Sequence, residues 1–242
     1  MIGFRFYFAI LDNFKNGPKF VLRIRHILKH KDRYNELYKY RYERKIFRSI
    51  QKSSRITTEA YGKENLPEEG GYVMFPNHQG KYDVLGICLS HDKPCTFVMD
   101  KAKSYGFFIR EMVDLIGGKR LDINDVRQNI TIINQIADEV AAGRRYILFS
   151  EGGYNTNGNK VQAFKPGSFK CATKVKAPIV PVALIDSYLP FNSNKLGNIT
   201  TKVIFLKPIT YDEYCNMNTT EIANLVRNRI MDKMREFGVD PE

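Results

Sequence analysis

The sequence predicts an α/β domain behind a helical, strongly basic N-terminal pair. Three observations predict it. Short β-branched and apolar runs alternate with helical periodicity from residue 56 onward, one long segment has clear 3.6-residue spacing, and almost all the net charge lies ahead of them.

Strands are expected at Ile56–Tyr61, Tyr72–Phe75, Thr96–Met99, Tyr146–Phe149, Ile179–Ile185 and Thr201–Leu206. Each is short and mostly apolar, as a strand buried between two helix layers should be. Helices fit Asp83–Ser90, Asp125–Ala142, Gly167–Lys176 and Thr219–Phe237. In the second of these, Ile130, Ile133, Ile136, Ala137 and Val140 share one face, and Gly143 stops the run. The Asn- and Gly-rich stretch Gly152–Asn159 reads as a loop after a buried strand, at the edge where open α/β sheets hold ligands.

Ahead of the strands, Tyr34–Ser53 reads as a helix with a ragged apolar face from Leu37, Tyr40, Tyr42, Ile46, Phe47 and Ile50. With 242 residues the chain supports one substantial core. The expected division is a basic docking segment, residues 1–54, and an α/β domain, residues 55–242.

Residues 1–58 hold fifteen Lys or Arg and four Asp or Glu, a net of +11 out of +12 for the chain. A basic arm on a near-neutral body suits a polyanion. Its apolar content argues for lipid. Ile2, Phe4, Phe6, Tyr7, Phe8, Ile10, Leu11 and Phe14 come first, then Phe20, Val21, Leu22, Ile24, Ile27 and Leu28 interleaved with Lys19, Arg23, Arg25 and Lys29. Interfacial helices bury such apolar groups in acyl chains and leave the cations at the headgroups. A helical hairpin packed on the domain stays open as the plainer reading. Nucleic acid is disfavoured, because no motif for it occurs.

The longest apolar stretch near the start, Phe6–Leu11, is far short of a bilayer span, and no cleavable signal pattern precedes it. A chain that does not itself span a membrane is expected. Cys88, Cys95, Cys171 and Cys215 have no metal or disulfide spacing, so free thiols are expected.

Two constellations carry chemistry. In Phe75-Pro76-Asn77-His78-Gln79-Gly80-Lys81-Tyr82-Asp83 a strand ends at Pro76, His78 lies in the turn and Asp83 opens a helix. Such a turn can bring the carboxylate to one imidazole nitrogen, fix the tautomer and leave the other nitrogen as a base for a hydroxyl. Among the four histidines only His78 has Asp five residues later. No ligand spacing suggests a metal, and no G-x-S-x-G elbow suggests a serine hydrolase.

The second constellation is Phe149-Ser150-Glu151-Gly152-Gly153, then Phe164-Lys165-Pro166-Gly167, then Pro178-Ile179-Val180-Pro181-Val182. Bare N–H groups in a glycine turn, with Lys165 at a helix mouth, suit an anion or oxyanion. Backbone donors near Gly80 or Gly152 are the candidates for an oxyanion hole.

In this order the motifs resemble those of the glycerolipid acyltransferases, the family of 1-acylglycerol-3-phosphate and glycerol-3-phosphate acyltransferases. The resemblance runs from about Gly62 to Ser187. It implies a mixed sheet flanked by helices, with a membrane-docking helical pair in front. It also implies His78 as base, Asp83 as its orienting partner, and an acceptor edge built from Asn77, Glu151, Gly152, Gly153 and nearby cations. The implied reaction moves a fatty acyl group from a thioester, on coenzyme A or acyl carrier protein, to a lysophospholipid such as 1-acyl-sn-glycerol 3-phosphate. No bound cofactor is implied. The expected place is the cytoplasmic, inner face of the cell membrane, held peripherally at an anionic surface.

The chain departs from that pattern in two places. The family's F-P-E-G-T-R becomes Phe149-Ser150-Glu151-Gly152-Gly153-Tyr154, so Tyr154 stands for an arginine, and Asp122 is followed by Ile123 where another arginine is usual. Cations close by are Lys101, Lys103, Lys119, Arg120 and Lys165, of which Lys165 and Arg120 are expected to take over phosphate binding. The alternatives are glycerol 3-phosphate, another lysolipid or an amino-acid lipid as acceptor. From a different class, a non-catalytic membrane-binding protein that keeps the fold is also an alternative.

Overall fold

A computed structural model describes residues 4–106, 108–122, 124–154, 157–194 and 197–242. Ile2 of the apolar arm, Ile123, and Asn155–Thr156 of the glycine-rich loop lie outside the described residues.

Helices α1 (Phe4–Asp12), α2 (Gly17–Lys29) and α3 (Glu36–Ser53) lead into β1 (Ile56–Tyr61) and β2 (Tyr72–Pro76). Then come α4 (Asp83–Ser90), β3 (Thr96–Asp100), α5 (Ile109–Leu115), β4 (Lys119–Leu121), α6 (Val126–Ala141) and β5 (Arg145–Ile147). The chain ends through α7 (Lys170–Thr173), β6 (Ile179–Ile185), α8 (Leu189–Asn192), β7 (Ile199–Phe205), α9 (Tyr211–Tyr214) and α10 (Thr219–Glu236).

One seven-stranded sheet runs in the order β1-β7-β6-β2-β5-β3-β4. Every neighbouring pair is parallel except β6 with β7. The mixed sheet is therefore as expected. Alternation along β2 shows how it is covered on both faces. Tyr72 and Met74 pack with Ile24 and Ile27 of α2, Tyr40, Ile46 and Phe47 of α3, Ile87 of α4 and Val113 of α5. Val73 and Phe75 point the other way, to Ile136 and Val140 of α6 and Ile222, Val226 and Ile230 of α10. Burial of each such side chain contributes about 1.5–3 kcal/mol. Helices α2 and α3 therefore belong to the same core as the strands.

The N-terminal region holds three helices rather than a pair. The apolar arm breaks over residues 13–16, just before Gly17-Pro18 opens α2, since proline is favoured in a first helical turn. Asn13 secures the break by donating from Nδ2 to Ser53 Oγ at 2.9 Å, while Ser49 Oγ donates to Asn13 Oδ1 at 2.6 Å. Asn35 caps α3 by accepting the N–H of Tyr38.

Strand β4 was not among the expected elements. It is a three-residue edge strand with Lys119 and Arg120 in it, so it has no apolar run to announce it. The helix expected at Gly167–Lys176 is a 3-10 turn, Pro166–Phe169, followed by the single turn of α7. All four cysteines are free thiols, three of them buried.

Candidate active site

His78 follows the end of β2, beside β6 on one side and β5 on the other. Its Nδ1 lies 2.8 Å from Asp83 Oδ2. The same oxygen accepts the backbone N–H of Gln79 at 2.7 Å and of Gly80 at 2.9 Å. Asp83 is fully buried at the first position of α4, where the helix dipole also favours a carboxylate. With Nδ1 donating to Asp83, the imidazole keeps the lone pair of Nε2 for a substrate proton.

The turn is clamped from below by β6. Asn77 Nδ2 and Gln79 Nε2 both donate to the Leu184 carbonyl, at 3.0 and 2.8 Å, and Leu184 N–H donates to Asn77 Oδ1 at 2.7 Å. Gln79 Oε1 accepts Ser187 N–H at 2.8 Å. Gly80 fits closely here, since a Cβ would sit 3.2 Å from Tyr188 Cα and 3.1 Å from Asn192 Nδ2. Asn77, expected at the acceptor edge, is instead buried with its amide spent on Leu184. It fixes the turn rather than facing a ligand.

The second constellation meets the first from β5. Glu151 Oε1 accepts His78 N–H at 3.0 Å, and Gln162 Nε2 donates to Glu151 Oε2 at 2.9 Å and to the Gly153 carbonyl at 3.0 Å. Burial pushes the Glu151 carboxyl up to about 7, against the His78 N–H and the Gln162 amide, which favour its ionised form. Glu151 therefore holds the His78 backbone through its carboxylate. Phe149 stacks on the imidazole with ring centres 4.1 Å apart, and Tyr154 meets it edge-on at 4.7 Å.

Gly152 has φ +77, and a Cβ there would run into Lys165 Nζ, so the glycine lets the lysine lie across the turn. Lys165 N–H donates to the Ser150 carbonyl at 2.8 Å, joining the two motifs. The Gly80 N–H, one of the expected oxyanion donors, is already taken by Asp83. The turn at Gly152 and Gly153 is left as the candidate.

The cations sort into two groups. Arg120 lies on β4, donates to Asp114 at 2.7 Å and Ser104 at 3.0 Å, and sits 5.3 Å over the Tyr105 ring. It is thus engaged in holding the sheet edge, contrary to the expected phosphate role. Lys101 lies 3.5 Å from Asp122. Lys103 Nζ, 3.9 Å from Asp100, also stands 5.8 Å from the centre of the Tyr154 ring, and Tyr154 packs on His78. Partial burial and the Lys103 charge both lower the pKa of Lys81, which follows His78 by three residues. Lys81 and the packing partners Gln79 and Phe149 stand inside the motifs, whereas Gln162 gave no signal in the sequence. Among the described residues, no three His, Cys, Asp or Glu side chains gather as a metal would require.

Residues 57–185 match a family model described as Acyltransferase. The chain is 28% identical over 191 residues to the 1-acyl-sn-glycerol-3-phosphate acyltransferase of Saccharomyces cerevisiae, covering 77% of this chain and 62% of that protein. It is 25% identical over 189 residues to the human 1-acyl-sn-glycerol-3-phosphate acyltransferase alpha, covering 76% of this chain and 66% of that protein. These alignments therefore span somewhat less than two thirds of those relatives. The crystal structure of the 1-acyl-sn-glycerophosphate (LPA) acyltransferase PlsC from Thermotoga maritima shares the fold, with a TM-score of 0.77 over 98% of this chain and 94% of that one, at 17% identity. With a match that spans over half of its length and includes the His78–Asp83 turn and the Glu151-Gly152 turn, the chain belongs to the Acyltransferase family.

Proposed function

We propose that the protein transfers a fatty acyl group from an acyl thioester to the free hydroxyl of a lysophospholipid, 1-acyl-sn-glycerol 3-phosphate, giving phosphatidate. The observation that carries the reading is the His78–Asp83 pair, whose shared oxygen is fixed by two backbone N–H groups. The names of the relatives support the acceptor.

An alcohol needs a base to attack a thioester at neutral pH, and an imidazole suits the task. The acceptor oxygen bonds to the acyl carbon as its proton passes to His78 Nε2. The tetrahedral oxyanion is met by N–H groups of the Gly152–Gly153 turn, a contribution of about 3 kcal/mol. The C–S bond then breaks, and the imidazolium protonates the leaving thiolate. No acyl-enzyme forms. Coenzyme A and acyl carrier protein both fit as thioester carriers, and the protein needs no bound cofactor for these steps.

Lys103, 5.8 Å from the Tyr154 ring, Lys165, lying across the Gly152 turn, and Lys81, three residues after His78, would receive the acceptor's phosphate. Tyr154 in place of an arginine favours a second reading with the same chemistry, in which the acceptor is glycerol 3-phosphate, another lysolipid or an amino-acid lipid.

The place of action is an anionic membrane, on the cytoplasmic side of the cell membrane. Phe4, Tyr7, Phe8, Ile10, Leu11, Phe14 and Leu22 are exposed on and beside α1 and α2, within the region of +11 net charge. No helix of the described residues is long and apolar enough to cross a membrane; the exposed face of α1 supports peripheral contact.

The test is an assay of purified full-length protein and His78→Ala with a panel of lysolipids and glycerol 3-phosphate, each with both donors. The expected result is His78-dependent phosphatidate formation. Acylation of none of the acceptors by the parent protein would refute the proposal.

A further inference from the structure

Beyond α3, the exposed branched aliphatic side chains among the described residues are Ile109, Val126 and Ile130. All three sit at one edge of the sheet, Ile109 on the helix of the face that α2 and α3 cover and Val126 and Ile130 on the helix of the face that α10 covers. Ile109 opens α5 after β3, and Val126 opens α6 after β4, with Ile130 one turn further along. These elements leave the carboxyl ends of parallel strands, the same edge from which His78 leaves β2. Helix α6 makes the contrast plain. Its Ile136, Ala137 and Val140 are buried, whereas Val126 is 70% exposed and Ile130 58%.

The patch lies across the site from α1. Helix α1 rests on α8, with the Phe6 and Phe191 rings 5.8 Å apart, and α8 follows β6 on one flank of β2. Strands β3 and β4 lie on the other flank. Helix α2 joins the two regions along the face, since Arg25 Nη2 is 2.7 Å from Glu111 Oε1 of α5. Exposed apolar groups therefore border the histidine on both sides.

Charge distinguishes the two borders. Around the patch, residues 100–130 hold six Lys or Arg and five Asp or Glu, and Lys101 pairs with Asp122 at 3.5 Å, Lys103 with Asp100 at 3.9 Å and Arg110 with Asp114 at 3.9 Å. The arm instead carries a large unbalanced positive charge. A near-neutral border of exposed aliphatics suits insertion among acyl chains without regard to headgroup charge.

We propose that Ile109, Val126 and Ile130, with the exposed Tyr105 four residues before Ile109, form a second lipid contact that seats the mouth of the His78 site against the bilayer. It rests on the reading that the protein works at a membrane. The arm supplies a charge-dependent attraction, and this patch supplies a contact that salt does not screen. Two contacts on opposite flanks also fix orientation, which one arm cannot do.

The chain has no tryptophan, so Val126→Trp places a single indole in the patch. On phosphatidylcholine vesicles in high salt its fluorescence is expected to shift to the blue and to be quenched by brominated acyl chains. In the full chain, combined Ile109→Ser, Val126→Ser and Ile130→Ser should lower the partition coefficient on those vesicles by about tenfold or more. Binding to phosphatidylglycerol vesicles in low salt should fall less, and turnover of a soluble short-chain acceptor should not change. An unshifted indole with unchanged partitioning, while the parent still binds, overturns the second contact alone. A parent that binds neither vesicle overturns the membrane reading as well. Loss of self-association in the triple variant, with vesicle binding intact, would show that a second copy covers the patch and would also overturn the proposal.

Discussion

The Glu151 carboxylate accepts the backbone N–H of His78 at 3.0 Å, so a residue carried by the loop after β5 holds the base carried by the turn after β2. Burial raises that carboxyl from 4.5 to about 7. A group raised on folding stabilises the protein fully below its unfolded value, and that stability is lost as pH rises through the folded value. The window is therefore about pH 4.5 to 7. Glu151→Gln keeps an acceptor oxygen and cannot titrate. Relative to the parent it should gain up to about 3 kcal/mol between pH 5 and 8. Urea denaturation at those two pH values checks this, and parallel stability profiles would dismiss the Glu151 contribution.

His78→Ala should reduce turnover by about 10²- to 10⁴-fold, the usual contribution of a general base, while the fold persists because His78 is half-buried in a turn. Asp83→Asn should also lose activity, since an amide can support the wrong tautomer. It also removes the charge that gathers the Gln79 and Gly80 N–H groups. Steady-state rates with saturating acceptor, alongside circular dichroism, give the comparison. Wild-type turnover in His78→Ala would remove the mechanism.

Asn77→Ala should destabilise the protein by about 1–3 kcal/mol, because it strands the buried Leu184 N–H and leaves the Leu184 carbonyl to Gln79 alone. Turnover should fall with it as the turn loosens, more than acceptor KM changes. Denaturation midpoints and kinetics of the same preparation separate these effects. A variant as stable as the parent would mean that water replaces the amide.

These contacts mark where the sequence stopped being legible. The strands and α4 were readable because burial on two faces writes an apolar run, as in Ile179–Ile185, and Asp83–Ser90 begins at the motif aspartate. The His78–Asp83 pair was readable because both residues share one turn. Partners far apart in the chain were not readable. Asn77 reads in the sequence as a ligand-facing residue, but its amide is bonded to Leu184, and Arg120 reads as a phosphate contact, but its guanidinium pairs with Asp114. β4 was invisible because an exposed edge strand of three residues needs no apolar pattern.

The revised set of phosphate contacts is testable against Arg120. Lys103→Ala and Lys165→Ala should each weaken a phosphate-bearing acceptor by about 1–3 kcal/mol, seen as a higher acceptor KM with donor KM little changed. Lys81→Ala should act in the same direction. Arg120→Ala should instead lower stability by unpairing Asp114, with a smaller effect on acceptor KM. The opposite ranking, with Arg120 dominant in KM, would return phosphate binding to β4.

Deleting residues 1–31 is a poor test of the arm, because Val21, Ile24 and Ile27 of α2 are buried. Loss of these residues should unfold the protein. Substitution of Phe8, Leu11 and Phe14 by Ser leaves the core intact, since all three are exposed. Those side chains give a contact that salt does not screen, whereas each Lys or Arg near an anionic surface adds about 1 kcal/mol that salt weakens. For the parent, sedimentation with anionic vesicles should therefore decline with ionic strength without vanishing. The triple variant should keep a salt-sensitive attraction and lose most of the salt-resistant part contributed by the arm. Its turnover of a soluble short-chain acceptor should match the parent. If the variant sediments like the parent at every salt concentration, α1 is not a lipid contact and its exposed face must serve another purpose.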